Sequence, residues 1–205
     1  MNKQARNLVE QATFTIHTKK RGDGQCVLIE GGFILTAAHC TDYNCGEPMA
    51  LGDSFLSTIS TAFSDITADT LAIEPRADIA VLGSPDAHSL PREAIAFEQF
   101  VERITPVKLQ RHIPEIFAPF PVWIRTHRKK WVAGEATYPG GSSFGYKTKI
   151  KICCGTSGGP IVNDAGQLVG VVSNGGEKGI GVYYDSMAPF AALAMPAWVL
   201  QQIGA

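Results

Sequence analysis

Residues 153–160, CCGTSGGP, place a serine hydroxyl among glycines, which is an arrangement that acyl-transfer chemistry can use. The segment follows an alternating run, residues 147–152, that predicts a β-strand. The glycines leave the Ser157 hydroxyl uncrowded and allow the N–H groups of Gly155 and Ser157 to converge beside it. The hydroxyl would attack a carbonyl carbon, and the two N–H groups would form an oxyanion hole. On this segment alone, a glycine-rich turn without a catalytic role explains the pattern equally well.

Two upstream positions supply groups that would activate such a serine. His39 follows an apolar run at residues 33–35, and Asp78 begins another run at residues 79–82. A carboxylate beside a buried strand needs a hydrogen-bond partner, and an imidazole N–H would provide one and fix the tautomer. The alternative is that Asp78 caps a turn formed by residues 75–77.

The motifs TAAHC, DIAVL and GTSGGP, in this order, resemble those of the trypsin/chymotrypsin-like serine endopeptidases. The resemblance implies that Ser157 is the nucleophile, His39 the general base and then the general acid, and Asp78 the residue that orients His39. It also implies that Gly155 and Ser157 form the oxyanion hole. The expected fold is all-β, with two antiparallel six-stranded β-barrels, a C-terminal α-helix and an active site between the barrels. No metal or cofactor is required by such a mechanism.

The elements that must position these groups fit a single peptidase domain covering all 205 residues. Many short strands and tight turns agree with the 21 glycines and 12 prolines. We expect an N-terminal barrel at about 12–84, a connection at about 85–118, a C-terminal barrel at about 119–186 and a C-terminal helix at about 190–203. A helix is expected within the connection, at residues 92–103, and the basic segment 127–130 is interpreted as a solvated hairpin tip.

The resemblance also indicates six candidate substrate-binding residues: Lys151, Cys154, Ser173, Asn174, Gly175 and Gly181. Ser173 is expected to donate a hydrogen bond to Asp78, and the residues after it to pair with the substrate backbone as an added β-strand. If Lys151 lies at the base of the pocket, its ammonium group would select Asp or Glu on the acyl side of the cleaved bond. Strand alternation leaves a second interpretation open, in which Lys151 faces solvent and Cys154, Val172 and Asn174 shape a pocket for small or apolar residues.

The residue before the nucleophile is Thr156, whereas trypsin has an acidic residue that pairs with a new N-terminus after zymogen cleavage. Thr156 has no charge with which to form that ion pair, and no start of the Ile-Val-Gly-Gly kind follows a basic residue. We therefore expect a trypsin-like domain without the zymogen N-terminus.

The charge and hydropathy of the sequence restrict the classes of partner that the chain is expected to bind. With 18 Lys and Arg residues against 19 Asp and Glu residues, the net charge is -1, which argues against nucleic acid and anionic membrane as partners. No apolar run reaches the length of a membrane span, and residues 1–20 lack the apolar core of a signal peptide. We expect a cytoplasmic protein that acts on a protein or peptide substrate and is open to control by a regulatory protein; secretion is the less favoured setting.

The five cysteines give an odd count, which favours free thiols in the absence of a signal peptide. Cys26 and Cys40 lie where secreted relatives carry a disulfide, so a bond between them is permitted but is not expected to be needed for folding. A metal site at His39, Cys40 and Cys45 is the minor alternative, because no fourth ligand is evident.

The predicted function is peptide-bond hydrolysis by a regulated or dedicated-substrate intracellular protease. A catalytically idle protease-like domain used for binding is the alternative, since a fold does not establish activity.

Overall fold

The computed structural model describes residues 1–18, 22–42, 55–173, 177–178 and 184–204. Among these residues the chain is mostly β, with two sheets and a few short helices.

The first sheet is a closed antiparallel barrel of six strands, in the order β1-β2-β3-β6-β5-β4. The strands are β1 (Thr13–Thr18), β2 (Gly22–Ile29), β3 (Phe33–Ala37), β4 (Leu56–Ser60), β5 (Asp65–Glu74) and β6 (Ile79–Gly83). The barrel closes because β4 pairs with both β5 and β1. Its interior is filled by fully buried aliphatic side chains such as Ile16, Leu28, Leu35 and Leu82. The predicted N-terminal barrel is confirmed in this form.

Two helices cover the first barrel. Helix α1 (Lys3–Gln11) begins at Asn2, whose side-chain oxygen accepts a 2.8 Å hydrogen bond from the Ala5 N–H. Helix α2 (Pro91–Arg103) lies where the sequence predicts a helix and buries Ala94, Phe97 and Phe100 on one face. Phe100 packs edge-on against Phe14 of β1, with ring centroids 5.0 Å apart.

The second sheet contains seven strands in the order β11-β10-β7-β8-β9-β13-β12. They are β7 (Pro119–Arg125), β8 (Trp131–Thr137), β9 (Ser143–Thr148), β10 (Pro160–Val162), β11 (Leu168–Val171), β12 (Glu177–Lys178) and β13 (Tyr184–Pro189).

This second sheet is a curled, open half-barrel of seven described strands with β11 and β12 at its edges, and together with the first barrel it gives the predicted double-barrel fold. The curl brings β11 back toward β13: a side chain at Gly170 of β11 would collide with the carbonyl oxygen of Pro189. Glycine thus allows the two backbones to approach, whereas the prolyl nitrogen of Pro189 has no N–H with which to close a ladder. The core of this half is aromatic, with Phe144, Tyr146 and Phe190 buried together.

The C-terminal segment forms two short helices, α3 (Ala191–Ala194) and α4 (Ala197–Gln202), instead of one helix at 190–203. Pro196 separates them because it has no N–H to continue the hydrogen-bond pattern of α3. Trp198 of α4 packs edge-on against Phe33 of β3, with centroids 5.8 Å apart.

The strand predicted at residues 147–152 is only partly correct. Strand β9 ends at Thr148, whose hydroxyl donates a 2.8 Å hydrogen bond to the Ile150 carbonyl oxygen. Ile150 is 62% exposed while Ile152 is buried, so these two residues do not share a buried face. The segment that leads to Ser157 is therefore a loop anchored at Ile152.

Candidate active site

His39 and Asp78 are brought together by the pairing of β3 with β6. In this antiparallel pair, Ala37 at the end of β3 lies opposite Ile79 at the start of β6. His39 follows Ala37 in a 3₁₀ turn, Ala38–Cys40, and Asp78 immediately precedes Ile79. The residues that follow β3 and those that precede β6 are therefore neighbours. The Ala38 N–H donates a 3.1 Å hydrogen bond to the Asp78 carbonyl oxygen.

Asp78 holds His39 through both of its carboxylate oxygens. The His39 backbone N–H donates to Oδ1 at 3.0 Å, and the His39 ring nitrogen Nδ1 lies 2.7 Å from Oδ2. An ionised carboxylate can only accept hydrogen bonds, so Nδ1 carries the proton and the neutral ring keeps Nε2 as its basic nitrogen. Asp78 has a φ of 58°, in the left-handed region that aspartate adopts more readily than most residues.

Ser173 supplies a third hydrogen bond to this carboxylate. Its hydroxyl donates to Asp78 Oδ2 at 2.6 Å, which is the contact that the resemblance implies. Burial alone would raise the pKa of Asp78, but the hydrogen bonds from His39 and Ser173 outweigh burial and hold that pKa below its ordinary value. Asp78 is therefore a carboxylate at neutral pH.

The basicity of His39 is set by its neighbours. The hydrogen bond to Asp78 raises the pKa of His39 above its ordinary value, and a hydrogen bond with Cys40 acts in the same direction, while burial opposes both. A half-buried imidazole held in this way is a stronger base than a free histidine.

Ser157 lies on a loop that is fixed between the two sheets. Its carbonyl oxygen accepts a 2.7 Å hydrogen bond from the N–H of Gln25 in β2, and the next N–H, of Gly158, donates to the Val172 carbonyl oxygen at 2.7 Å. Gly158 has a φ of 78°, and a side chain there would collide with the Gln25 carbonyl oxygen. Glycine at this position is thus required for the loop to seat against the first barrel.

Ser157 shares one cleft with the His39–Asp78 pair. The cleft has a volume of about 520 Å³, and its lining includes His39, Asp78, Ser157 and Ser173. We call it the active-site cleft. Among the described residues no hydrogen bond joins Ser157 Oγ to His39, so the structure brings the serine to the same cleft without closing that contact.

The residues before Ser157 form a tight turn. The Thr156 N–H donates a 3.2 Å hydrogen bond to the Cys153 carbonyl oxygen, and Gly155, the third residue of the turn, has a φ of 82°. Cys154 has no positive φ, so the turn is of type II, which calls for glycine at the third position. Within the described part of the chain, the N–H groups of Gly155 and Ser157 have no acceptor. Two unpaired donors thus flank the serine.

Comparison with protein families identifies the family of a chain that carries this arrangement. The family model of the trypsin-like peptidase domain matches residues 24–171, which contain His39, Asp78 and Ser157. The chain belongs to the trypsin-like peptidase domain family. It is accordingly a serine-type endopeptidase. A comparison with curated protein sequences gave no match.

Solved structures of serine proteases share the fold of this trypsin-like domain. The Rv3671c protease of M. tuberculosis, in an inactive form, aligns with a TM-score of 0.59 at 17% identity, over 99% of this chain and 91% of that one. The HtrA-type protease AlgW, solved with a tripeptide, aligns with a TM-score of 0.61 at 17% identity, over 97% and 62% of the two chains. A serine endoprotease from Yersinia pestis aligns with a TM-score of 0.58 at 17% identity, over 98% and 65%. At these identities the likeness establishes the double-barrel architecture.

Thr156, which stands where trypsin has an acid, is fully buried and bonded to His127. Its hydroxyl oxygen accepts a 3.4 Å hydrogen bond from the His127 N–H and lies 3.1 Å from His127 Nδ1. Residues 127–130 are all exposed, as the interpretation as a solvated tip predicts, and the His127 ring also contacts the turn that precedes Ser157. No local sequence signal indicates this contact, because the two residues are 29 positions apart.

Of the six candidate substrate-binding residues, the structure describes three, and one of these three lines the active-site cleft. Ser173 lines the active-site cleft, whereas Lys151 and Cys154 are exposed and do not form its described lining. The ammonium group of Lys151 is thus not buried. Asn174, Gly175 and Gly181 lie outside the described residues.

Four cysteines are described, and all four are free: Cys26 and Cys40 are buried, and Cys153 and Cys154 are exposed. Burial raises the pKa of the Cys26 thiol, so this group is protonated and unreactive at neutral pH. Cys45 lies outside the described residues.

Within the described ranges, no group of three or more His, Cys, Asp or Glu side chains is arranged to hold a metal ion. None of the helices described here has the length and apolar character needed to cross a bilayer.

Proposed function

We propose that this endopeptidase cleaves its substrate through a triad of Ser157, His39 and Asp78, with an acyl-enzyme intermediate. The observation that carries the proposal is that the Asp78–His39 pair and Ser157 line one cleft, while the N–H groups of Gly155 and Ser157 are unpaired beside it. Basic nitrogen, hydroxyl and oxyanion donors are the three components that this chemistry needs.

In the first half-reaction, Ser157 Oγ bonds to the carbonyl carbon of the peptide and its proton passes to His39 Nε2. The carbonyl π pair moves to oxygen, and the resulting oxyanion accepts hydrogen bonds from the N–H groups of Gly155 and Ser157. The oxyanion then collapses, the C–N bond breaks, and the leaving nitrogen takes the proton from His39. Asp78 stabilises the imidazolium that exists between these two proton transfers.

In the second half-reaction, a water molecule attacks the ester that joins the acyl group to Ser157. His39 removes a proton from the water and returns it to Ser157 Oγ as the ester bond breaks. The products are a peptide with a new carboxylate and one with a new amine, and no external oxidant, metal or nucleotide enters the balance.

We further propose that the enzyme is intracellular and acts on a dedicated substrate under the control of a partner protein. The buried unpaired thiols of Cys26 and Cys40 support the setting, because such thiols persist in a reducing compartment. The buried Thr156, which has no charge for an ion pair with a new N-terminus, supports control by ordering of the oxyanion turn.

The test is profiling of a peptide library together with labelling by a fluorophosphonate probe. Ser157→Ala should abolish labelling and lower kcat/KM by about 10⁵-fold or more, because triad members act as a unit. Ser64→Ala, at an exposed serine remote in sequence from the triad, is the matched control and should behave as the wild type. Labelling of Cys153 or Cys154, or full activity in Ser157→Ala, would overturn the assignment. A chain that labels nothing and cleaves nothing would support the binding-domain alternative.

A further inference from the structure

A second, larger cavity adjoins the oxyanion turn. Its volume is about 900 Å³, and its lining includes Gly155, Gln25, His127 and three cationic side chains, Arg103, Arg125 and Lys129. We call it the basic cavity. Glu10 and Asp23 also line it, but each already has a partner: Glu10 Oε1 accepts a 2.7 Å hydrogen bond from Trp131 Nε1, and Asp23 Oδ1 lies 2.6 Å from His17 Nδ1.

Arg125 is the unusual member of this lining. The residue is only 8% exposed, its Nε is buried without a hydrogen-bond partner in the described part of the chain, and it forms no ion pair there. A buried charge without a partner destabilises a protein, and arginine does not lose its proton to escape the cost. Burial lowers the pKa of Arg125 and the charge of Glu10 opposes that shift, yet Glu10 does not approach closely enough to bond. The guanidinium group is thus charged and largely buried, and its Nε–H is available to an acceptor.

The backbone of Arg125 is tied to the catalytic loop. The side-chain Nε2 of Gln25 donates to the carbonyl oxygens of both Arg125 and Thr156, each at 3.3 Å. Because Thr156 lies between Gly155 and Ser157, the same amide fixes the position of Arg125 relative to the oxyanion turn. A group bound by Arg125 would therefore be held at a set distance from the bond being cleaved.

The position of the basic cavity indicates which part of a substrate reaches it. By the family resemblance, the residues after Ser173 are expected to pair with the substrate backbone, and we assign that pairing to the acyl part of the substrate; Ser173 lines the active-site cleft. The basic cavity shares none of the described lining of that cleft and adjoins the oxyanion turn at Gly155. By elimination, we assign to this cavity the chain that continues past the cleaved bond and departs with the new amine.

We propose that the basic cavity binds a carboxylate on the leaving-group side of the cleaved bond, and that Arg125 is the specificity-determining residue that recognises it. This inference rests on the proposed function for the identity of the ligand, but the cavity and the unpaired guanidinium do not depend on it. Either an Asp or Glu side chain or the C-terminal carboxylate of a short substrate supplies the required chemistry, since guanidinium and carboxylate can form two parallel hydrogen bonds.

Cleavage kinetics give the first test. Substrates that differ only by Glu or Gln after the cleaved bond, each with an amidated or free C-terminus, separate the two sources of the carboxylate. We expect the wild type to favour at least one carboxylate form by about tenfold or more in kcat/KM, and Arg125→Met to lose that preference. Hydrolysis of a peptidyl coumarin amide, whose leaving group has no carboxylate, should fall less in Arg125→Met than hydrolysis of the carboxylate substrates. Arg92→Met, at an exposed arginine of α2, controls for the change in net charge.

Binding gives a second test that does not require catalysis. In ¹⁵N-labelled Ser157→Ala protein, the Nε–H resonance of Arg125, assigned by its loss in the Arg125→Met double variant, is followed by NMR. Titration with Ala-Glu-Ala amide or with Ala-Gln-Ala as the free acid should shift this resonance, and the neutral Ala-Gln-Ala amide should not. Arg125→Met should also fold at least as stably as the wild type, because an apolar side chain replaces an unpaired buried charge.

Failure of the proposed function and failure of the carboxylate-site inference give different results in these tests. Loss of all hydrolysis in the wild type would count against the proposed function, while a shifted Arg125 resonance would still support the carboxylate site. A resonance that no carboxylate peptide moves, or a carboxylate preference that survives Arg125→Met, overturns the inference.

Discussion

Ser173 and His39 bind the same oxygen of Asp78: the Ser173 hydroxyl donates to Oδ2 at 2.6 Å, and His39 Nδ1–H donates to it at 2.7 Å. Because the His39 backbone N–H occupies Oδ1, the carboxylate is held from three directions and has little freedom to rotate. The orientation of the imidazole therefore depends on a residue that follows β11, in the other half of the chain.

Ser173→Ala should weaken this arrangement without removing the catalytic groups. Losing one hydrogen bond to a charged, partly buried acceptor corresponds to about 1.5–3 kcal/mol, so we expect kcat/KM to fall about tenfold or more. The pKa of Asp78 should rise toward its ordinary value. Ser173→Thr, which keeps the hydroxyl, is the control; equal losses in both variants would show that packing and not the hydrogen bond is responsible.

The pH dependence should follow the raised pKa of His39. General base catalysis requires neutral His39, so kcat/KM should rise with pH along a limb centred above the ordinary histidine value. Asp78→Asn removes the largest cause of the shift, so the limb should move to lower pH while activity drops by about 10⁴-fold. The measurement is kcat/KM from pH 5 to 10 for both proteins; an unmoved limb would mean that Asp78 does not set the basicity of His39.

The pKa shifts of His39 and Asp78 also make the stability of the folded chain depend on pH, and the two contributions have opposite signs. The raised pKa of His39 stabilises the folded chain at low pH, and that contribution is lost as the pH rises through the folded-state pKa. The lowered pKa of Asp78 stabilises the folded chain above its unfolded-state pKa, and that contribution is lost as the pH falls.

Gly155→Ala should affect catalysis more than stability. At Gly155 an added Cβ would lie 3.5 Å from the His127 ring, which is ordinary contact, but the φ of 82° is unfavourable for alanine. The strain of about 1–2 kcal/mol favours a turn of negative φ, which would rotate the Gly155 N–H away from the oxyanion. Gly140→Ala is the matched control, because Gly140 has a φ of 101° and no atom within 4 Å of an added Cβ. We expect similar losses in unfolding free energy for both variants, measured in urea, and a loss of kcat of about 10²-fold or more for Gly155→Ala alone.

The contacts in this structure differ in whether the sequence could predict them. The pairing of His39 with Asp78 was predictable, because each residue adjoins an apolar strand and the motif order of the family is preserved. The contact of His127 with Thr156 and the burial of Arg125 were not, since both depend on how β7 and β8 pack against a loop about 30 residues further along the chain. The open second sheet and the division of the C-terminal helix depended on the missing N–H groups of Pro189 and Pro196.

His127→Ala should loosen the turn that carries the oxyanion donors. Thr156 is fully buried, and its hydroxyl would lose the ring partner at 3.1 Å, although the backbone N–H of residue 127 would remain. Losing one of the two hydrogen bonds of this buried hydroxyl costs about 0.5–1.5 kcal/mol, and we expect kcat to fall while KM changes little. His112→Ala, at an exposed histidine in the connection between the sheets, should match the wild type. Restored activity in a His127→Asn variant, which keeps a polar group near Thr156, would support the hydrogen bond as the cause.

Lys151 tests the two interpretations of the specificity pocket. The strand that was expected to carry Lys151 ends at Thr148, and Lys151 is exposed. Its charge is therefore screened by water and is not an unpaired charge at the base of a pocket. We therefore expect Lys151→Ala and Lys151→Asp to change the preference for Asp or Glu on the acyl side by less than about threefold, as for other exposed charges. Matched peptides that differ only at the residue before the cleaved bond provide the measurement, at low and at physiological salt. A loss of acidic preference in Lys151→Ala together with a switch toward Arg or Lys in Lys151→Asp would instead show that Lys151 contacts the substrate side chain directly.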